Sequence, residues 1–333
     1  LAKSRTLGSP RERRIVIFDS ESVFEDNVIT VLKQHGWKDG VLRYPTERDL
    51  LDNWKDILYR NNNDIDRLGK YPLTDGEMAQ IIEQIETLRT PLALNSFVNG
   101  RTVSITRDNK EDVAHFGKEV SLYIYDRKEI AGGKSTYQIA QQPVYPAKNK
   151  MLNSRRGDLV LLINGMPLIH IELKKSGIPV SQATNQIEKY AHEGVFTGLF
   201  RLVQIFVAMN PDDAVYFANP GVDKFNPSYY FHWADYNNEP ICGGQNPGKD
   251  EWKLFIGGTS GTAGLLSIPM AHQLIGFYTI ADSADASRCC AATSTSLRTP
   301  SLTWCANAIG NSGQLLRDDQ AAMYGTLPVP EKP

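Results

Sequence analysis

Apolar residues recur at helical spacing through roughly the first third of the chain and at alternating spacing after it, and this change of period organises the sequence. Val23, Phe24, Val28, Val31 and Leu32 predict a helix over Ser20–Gly36, with Gly36 as its stop. Thr46 and Asp49, followed by Leu50, Leu51, Trp54, Ile57 and Leu58, predict a second helix with a capping-box start. Thr74 and Glu77, followed by Met78, Ile81, Ile82, Ile85 and Leu88, predict a third helix, ended by Pro91. The period then becomes two. Val98-Asn-Gly-Arg-Thr-Val-Ser-Ile105 reads as a hairpin, with strands near Val120–Tyr125 and Thr136–Gln141 after it. A second hairpin occupies Asp158–Lys174, followed by a helix over Ser181–Tyr190, a buried strand in Leu202–Met209 and a shorter strand at Ala214–Ala218. The fold class expected is α/β, a mixed sheet flanked by helices over residues 15–238.

The pattern weakens beyond about Asp235. Cys242-Gly-Gly-Gln-Asn-Pro-Gly is rich in turn residues, and Gly257-Gly-Thr-Ser-Gly-Thr-Ala-Gly264 resembles a flexible linker. Leu265–Ile280 has room for one helix, but Ser, Thr, Ala and Cys dominate from Ser283 without a period. The chain thus divides into a basic lead (1–14), the α/β domain (15–238), and a linker and poorly structured C-terminal tail (239–333) that is weakly ordered or docked on the domain.

Composition supports a globular chain: 333 residues, 41% hydrophobic and 22% charged. No apolar run approaches the roughly 20 residues of a membrane span, so no membrane partner is expected. The start, which is not a Met, lacks the apolar core of a secretory signal. The four cysteines form no C-x-x-C pair, which argues against a zinc site and for free thiols in a cytoplasmic protein. Net charge is −2, so no overall field announces a nucleic-acid binder. The basic groups are nevertheless clustered. Arg11, Arg13 and Arg14 precede the first apolar segment, whereas Lys148, Lys150, Arg155 and Arg156 lead into Asp158 and are candidates for phosphate contacts, joined by Lys175.

The Asp158–Lys174 hairpin holds the strongest chemical signal. Ile169, Ile171 and Leu173 alternate with His170, Glu172 and Lys174, so Glu172 and Lys174 share one face. A plain two-residue turn at Asn164-Gly165 sets Asp158 opposite Ile171, on the wrong face; one extra residue, as a bulge or a longer turn, sets it opposite Glu172. The bulged register is therefore predicted. Asp158 and Glu172 then offer hard oxygens suited to Mg²⁺, with Mn²⁺ as a substitute, and the Leu173 carbonyl lies between them as a third ligand. Such a site suits metal-assisted hydrolysis of a phosphodiester. Lys174 can orient the attacking water, act as its base if its pKa is depressed, or stabilise developing charge, and the sequence does not choose. His170 shares the face as a ligand or a structural histidine. Gln186 and Tyr190 lie four apart on the next helix, where they are either a backbone-binding pair or a surface amide and a packing ring. E-x-K alone is weak: Glu251-Trp-Lys253 repeats it with no strand and no aspartate in register.

In order, Asp158, Asn164-Gly-Met-Pro-Leu168, Glu172-Leu-Lys-Lys175 and Gln186-Ile-Glu-Lys-Tyr190 resemble the nuclease domain of the R subunit of type I restriction–modification enzymes, within the PD-(D/E)xK superfamily. Leu202–Asn210, Val215–Asn219 and Ser20–Glu25 are similar to that family as well, and the resemblance covers about residues 18–238. It implies that Asp158, Glu172 and Lys174 form the catalytic metal site, that Gln186 and Tyr190 assist, and that Glu25, ahead of Glu21, adds an acidic group. It also implies double-stranded DNA as substrate and the modification (M) and specificity (S) subunits as partners. ATP is needed only by the family's motor domains, which this chain does not reach; its tail reads as a truncated or altered approach to them. Gly243-Gly-Gln-Asn-Pro-Gly-Lys-Asp250 imitates a phosphate-binding loop, but Asp250 replaces the Ser or Thr that holds Mg²⁺ and Pro247 removes an N–H. Two alternatives stay open: a stand-alone repair or junction nuclease of the same superfamily, and a non-catalytic DNA-binding or interaction fragment.

Overall fold

Strands that are apolar on both faces form the centre of the molecule. The computed structural model describes residues 17–126, 134–146, 155–221, 225–235, 237–243, 250–259, 261–277, 279–281 and 287–289. Six strands make one mixed sheet: β1 (Val41–Arg43), β4 (Tyr137–Gln141), β5 (Leu159–Ile163), β6 (Met166–Leu173), β7 (Ile205–Met209) and β8 (Ala214–Ala218), in the spatial order β1-β4-β5-β6-β7-β8. β1 runs parallel to β4 and β6 parallel to β7, and the remaining pairs are antiparallel. Every residue of β5, β6, β7 and β8 is buried, so both sheet faces must be covered.

Helices cover them. Ala183 and Ile187 of α5 (Val180–His192) pack on Phe206, Ala208, Val215 and Phe217. The opposite face presents Ile169, Ile171, Leu173, Ile205, Val207 and Met209 to a core that includes Phe24, Val28 and Leu32 of α1 (Glu21–Gln34). The mixed α/β expectation is met. So is the capping box of Thr46–Asp49, which opens α2 (Glu47–Asn61), and Thr74–Glu77 forms a second one at the start of α3 (Asp75–Thr87).

Three local expectations are corrected. Pro91 does not merely close α3; it is the first residue of another helix, α4 (Pro91–Asn99), whose first turn is capped by the Thr90 hydroxyl. Val98–Ile105 is consequently no hairpin, because Asn99-Gly100 ends that helix and β2 (Thr102–Thr106) pairs with the later β3 (Glu119–Tyr123). The glycine-rich stretch at 257–264 is not a free linker. Gly258 has φ +91°, and a Cβ at Gly264 would collide with the backbone of Ile256 and Gly258.

The core continues past position 238. Trp252 of α6 (Glu251–Gly257) sets its ring edge-on to Phe24 at 5.2 Å and Phe18 at 6.0 Å. Trp37 donates its indole N–H to the Leu266 carbonyl (2.8 Å), and His272 of α7 (Ile268–Phe277) lies between the hydroxyls of Tyr125 (2.8 Å) and Tyr137 (3.0 Å). Trp252→Ala is therefore expected to cost about 3–5 kcal/mol in denaturant unfolding. A loss below about 1 kcal/mol would mean that this segment is not part of the core. Among the described residues no helix is long and apolar enough to cross a membrane.

Candidate active site

The site depends on the register of one hairpin. Asn164 (φ +52°) and Gly165 (φ +85°) form a two-residue left-handed turn, and a Cβ at 165 would meet Trp54. Next to the turn Ile163 pairs with Met166 and Leu162 with Pro167. The ladder then slips by one: Leu161 pairs with Ile169, Val160 with His170 and Leu159 with Ile171. The bulge adjoins Pro167, which has no N–H to give the ladder. The extra residue thus lies in the strand, not in the turn, and it brings Asp158 to Glu172 as the alternation requires. The Leu173 N–H donates to Asp158 Oδ2 at 2.7 Å, tying the aspartate to the backbone beside Glu172.

Glu172 is wholly buried, and neither of its carboxylate oxygens has a hydrogen-bond partner. Lys174 Nζ lies 3.5 Å from Glu172 Oε1 and donates to the Leu173 carbonyl at 2.9 Å. Its ammonium thus faces two of the three groups expected to bind metal. Burial, reinforced by Glu172, pushes Asp158 up to about 8. Burial pushes Glu172 up to about 8 as well, against the opposing pull of Lys174. Two acids that resist ionisation side by side invite a cation. Among the described residues no cluster of three or more His, Cys, Asp or Glu side chains stands ready for a metal. The donor set is two carboxylates and one carbonyl, and the Glu172 oxygens, buried without a formed hydrogen bond, are the feature that suits a hard divalent ion.

The first helix closes the site from another side. Glu25 is 3% exposed and accepts from Gln141 Nε2 at 2.6 Å, with Gln142 Nε2 at 3.3 Å. Burial raises its pKa despite these amides, and Asp158 adds to the rise, so Glu25 belongs to the same electrostatic cluster. Glu21 reaches Lys174 Nζ at 3.8 Å. The two glutamines were not anticipated; Gln142 also ties β4 to the site through its N–H, which donates to the Asp158 carbonyl at 2.7 Å.

On α5, Gln186 Nε2 donates to the Tyr190 hydroxyl (2.7 Å), which donates to the Arg156 carbonyl (2.8 Å). Burial raises the Tyr190 phenol, with Glu172 adding to the rise, so the hydroxyl stays a donor beside the acids. Gln186, Tyr190, Arg155, Gln182, Asn185 and Lys189 line an open depression there. Arg155 makes a two-pronged ion pair with Glu193 at 2.8 Å, while the exposed Arg156 holds its guanidinium 5.7 Å from the Tyr44 ring centre. Lys175 is exposed, with Nζ 3.4 Å from the Asp19 carbonyl. Lys148 and Lys150 lie outside the described residues, as do the basic lead and most of the loop imitating a phosphate site. The E-x-K decoy falls on α6, where Lys253 pairs with Asp250 (3.1 Å).

A mixed sheet carrying a half-buried aspartate, a buried glutamate and a buried lysine at the end of its central hairpin defines the class of site. Over residues 19–225 the chain matches the family described as the type I restriction enzyme R protein N terminus, and it belongs to that family. It is 31% identical over 232 residues to the type I restriction enzyme SsaAORF53P endonuclease subunit of Staphylococcus saprophyticus, covering 68% of this chain and 22% of that protein. The SauMSSORF170P endonuclease subunit of Staphylococcus aureus is 31% identical over 226 residues, 67% of this chain and 22% of that protein. The EcoprrI endonuclease subunit of Escherichia coli is 35% identical over 128 residues, 38% of this chain and 39% of that protein. The chain thus spans about a fifth of the length of the staphylococcal relatives.

Proposed function

We propose that this chain is the DNA-cleaving domain of a type I restriction R subunit, a PD-(D/E)xK hydrolase of phosphodiester bonds that requires Mg²⁺ or Mn²⁺. The observation that carries the reading is the buried Glu172 carboxylate, which forms no hydrogen bond at either oxygen and lies beside Asp158 and 3.5 Å from the Lys174 ammonium. Asp158, Glu172 and the Leu173 carbonyl would hold the ion, which supplies Lewis acidity toward a phosphoryl oxygen. The chain's own groups do the rest. Lys174 sets a positive charge where the phosphoryl oxygens gain negative charge. Tyr190 and Gln186 hold the Arg156 backbone against the acid pair, which fixes the strand entrance at Asp158. Arg156 and Lys175 present exposed cations to DNA phosphates on either side. In this reading residues 19–225 take no part in translocation or target recognition, which fall to motor domains and to modification and specificity subunits.

The test is cleavage of closed-circular DNA by an R subunit carrying this domain, assembled with its modification and specificity subunits and supplied with ATP and Mg²⁺. Cutting is expected with Asp158 in place and none with Asp158→Ala. Undiminished cutting by the Asp158→Ala complex would falsify the reading.

A further inference from the structure

His170 lies two residues before Glu172 on β6, on the same face of the sheet, and is wholly buried. Its two nitrogens face two different groups. Nδ1 is 2.8 Å from the Tyr145 hydroxyl, and Nε2 is 3.4 Å from Glu172 Oε2. Nε2 has no formed hydrogen bond, and neither has Glu172 Oε2. Leaving a buried polar group unsatisfied costs about 1–3 kcal/mol, yet here two such groups face each other. The surroundings offer no third choice, since the rings of Phe196 and Phe206 pack on the imidazole at 5.4 and 5.9 Å. Hydrogen bonds around a reacting group are often long in the unloaded state and tighten on loading.

The arrangement is also built. A Cβ at Gly157 would meet both the Tyr145 hydroxyl and His170 Cε1, so the tyrosine–histidine pair needs glycine there. The Tyr145 hydroxyl and Nδ1 share a 2.8 Å hydrogen bond whose direction follows the ring tautomer, and the phenol can donate there only when Nδ1 carries no proton. In that tautomer the ring proton sits on Nε2, 3.4 Å from Glu172 Oε2. Against the ionised Glu172 that a cation requires, the opposite tautomer would set a nitrogen lone pair facing a carboxylate oxygen.

We propose that His170 is a positioning residue for the metal-binding carboxylate of Glu172: its Nε2–H holds Oε2 and leaves Oε1 turned toward Lys174 and the cation site, while Tyr145 fixes the tautomer. The inference rests on the metal-site reading above. Orienting groups of this kind change metal affinity by about 10–100-fold when removed.

Calorimetric titration of the whole chain with Mn²⁺ tests it. His170→Leu is expected to weaken Mn²⁺ binding by about 10–100-fold. His170→Gln, whose amide N–H lies near the position of Nε2, is expected to recover most of the loss. Tyr145→Phe, which keeps the ring but not the hydroxyl, is expected to fall between wild type and His170→Leu. A folded His170→Leu protein that binds Mn²⁺ as tightly as wild type overturns the proposal and leaves the metal site standing. If His170→Leu does not fold, Tyr145→Phe decides: weakened binding supports the proposal, and unchanged binding overturns it. Absence of Mn²⁺ binding in the wild-type chain overturns the metal-site reading, and this inference with it.

Discussion

Lys174→Ala is expected to lower the DNA-cleavage rate of the assembled enzyme by about 10²–10³-fold while leaving divalent-metal binding as tight as before or tighter. The two effects separate because Lys174 shares its neighbours with the metal. Its Nζ donates to the Leu173 carbonyl at 2.9 Å and lies 3.5 Å from Glu172 Oε1 and 3.8 Å from Glu21 Oε1. Removing the ammonium takes a competing positive charge from those acceptors, so the ion enters more easily. In the proposed mechanism the same removal deletes the charge that faces the phosphoryl group as it reacts, so kcat is expected to fall. Lys174→Arg is not expected to restore the rate, because a planar guanidinium does not fit where a compact ammonium is 7% exposed. Single-turnover cleavage together with a Mn²⁺ titration makes the check. Cleavage within a few-fold of wild type, or loss of metal binding in step with the rate, contradicts this role.

What was legible in the sequence is what is local. Thr46–Asp49 and Thr74–Glu77 announce helix starts because each capping box closes within three residues. Period-two alternation placed Glu172 and Lys174 on one face, and the need for Asp158 to join them required an extra residue, which the bulge beside Pro167 supplies. Punctuation residues misled where one signal serves two structures. Asn99-Gly100 ends a helix as readily as Asn164-Gly165 turns a hairpin, and Pro91 opens one helix immediately after another has closed. The unforeseen parts of the site are contacts between distant segments. Gln141 reaches Glu25 across 116 residues, and Tyr145 reaches His170 across 25. Neither pair leaves a spacing in the chain, because the sheet order and not the sequence makes them neighbours. The glycines at 258 and 264 show the same limit: their composition suggests a linker, but close backbone contacts, of 258 with Thr262 and of 264 with Ile256, explain them.

The metal-free protein is expected to lose stability as pH rises from about 4.5 to about 8, and added Mn²⁺ or Mg²⁺ is expected to restore most of it at the upper end. Both Asp158 and Glu172 are held up to about 8 in the fold, burial being the main cause. In the unfolded chain they ionise near 4. Below that both states carry the protons, and no difference arises. Between the two values the unfolded chain has released protons that the fold retains, so the fold weakens by up to about 1.4 kcal/mol per pH unit for each proton kept. Above about 8 the fold has released them too, and the loss levels off. The acids interact, so the profile belongs to the pair and not to either residue. Glu25 and Glu47 titrate in the same direction, Asp75 and Asp112 are shifted the opposite way, and His170, held down to about 4 by burial, opposes the loss up to its ordinary value near 6.5. The informative quantity is therefore the difference between wild type and an Asp158→Asn/Glu172→Gln double variant, followed as Tm from pH 5 to 8.5. The double variant should gain on wild type across that interval, by roughly 2–4 °C for each kcal/mol of relief. Because only the ionised pair attracts a cation, stabilisation by metal should grow over the same interval in wild type and be absent from the double variant. Parallel profiles for the two proteins would show that these carboxylates ionise freely in the fold, and the electrostatic case for a cation between them would go with that result.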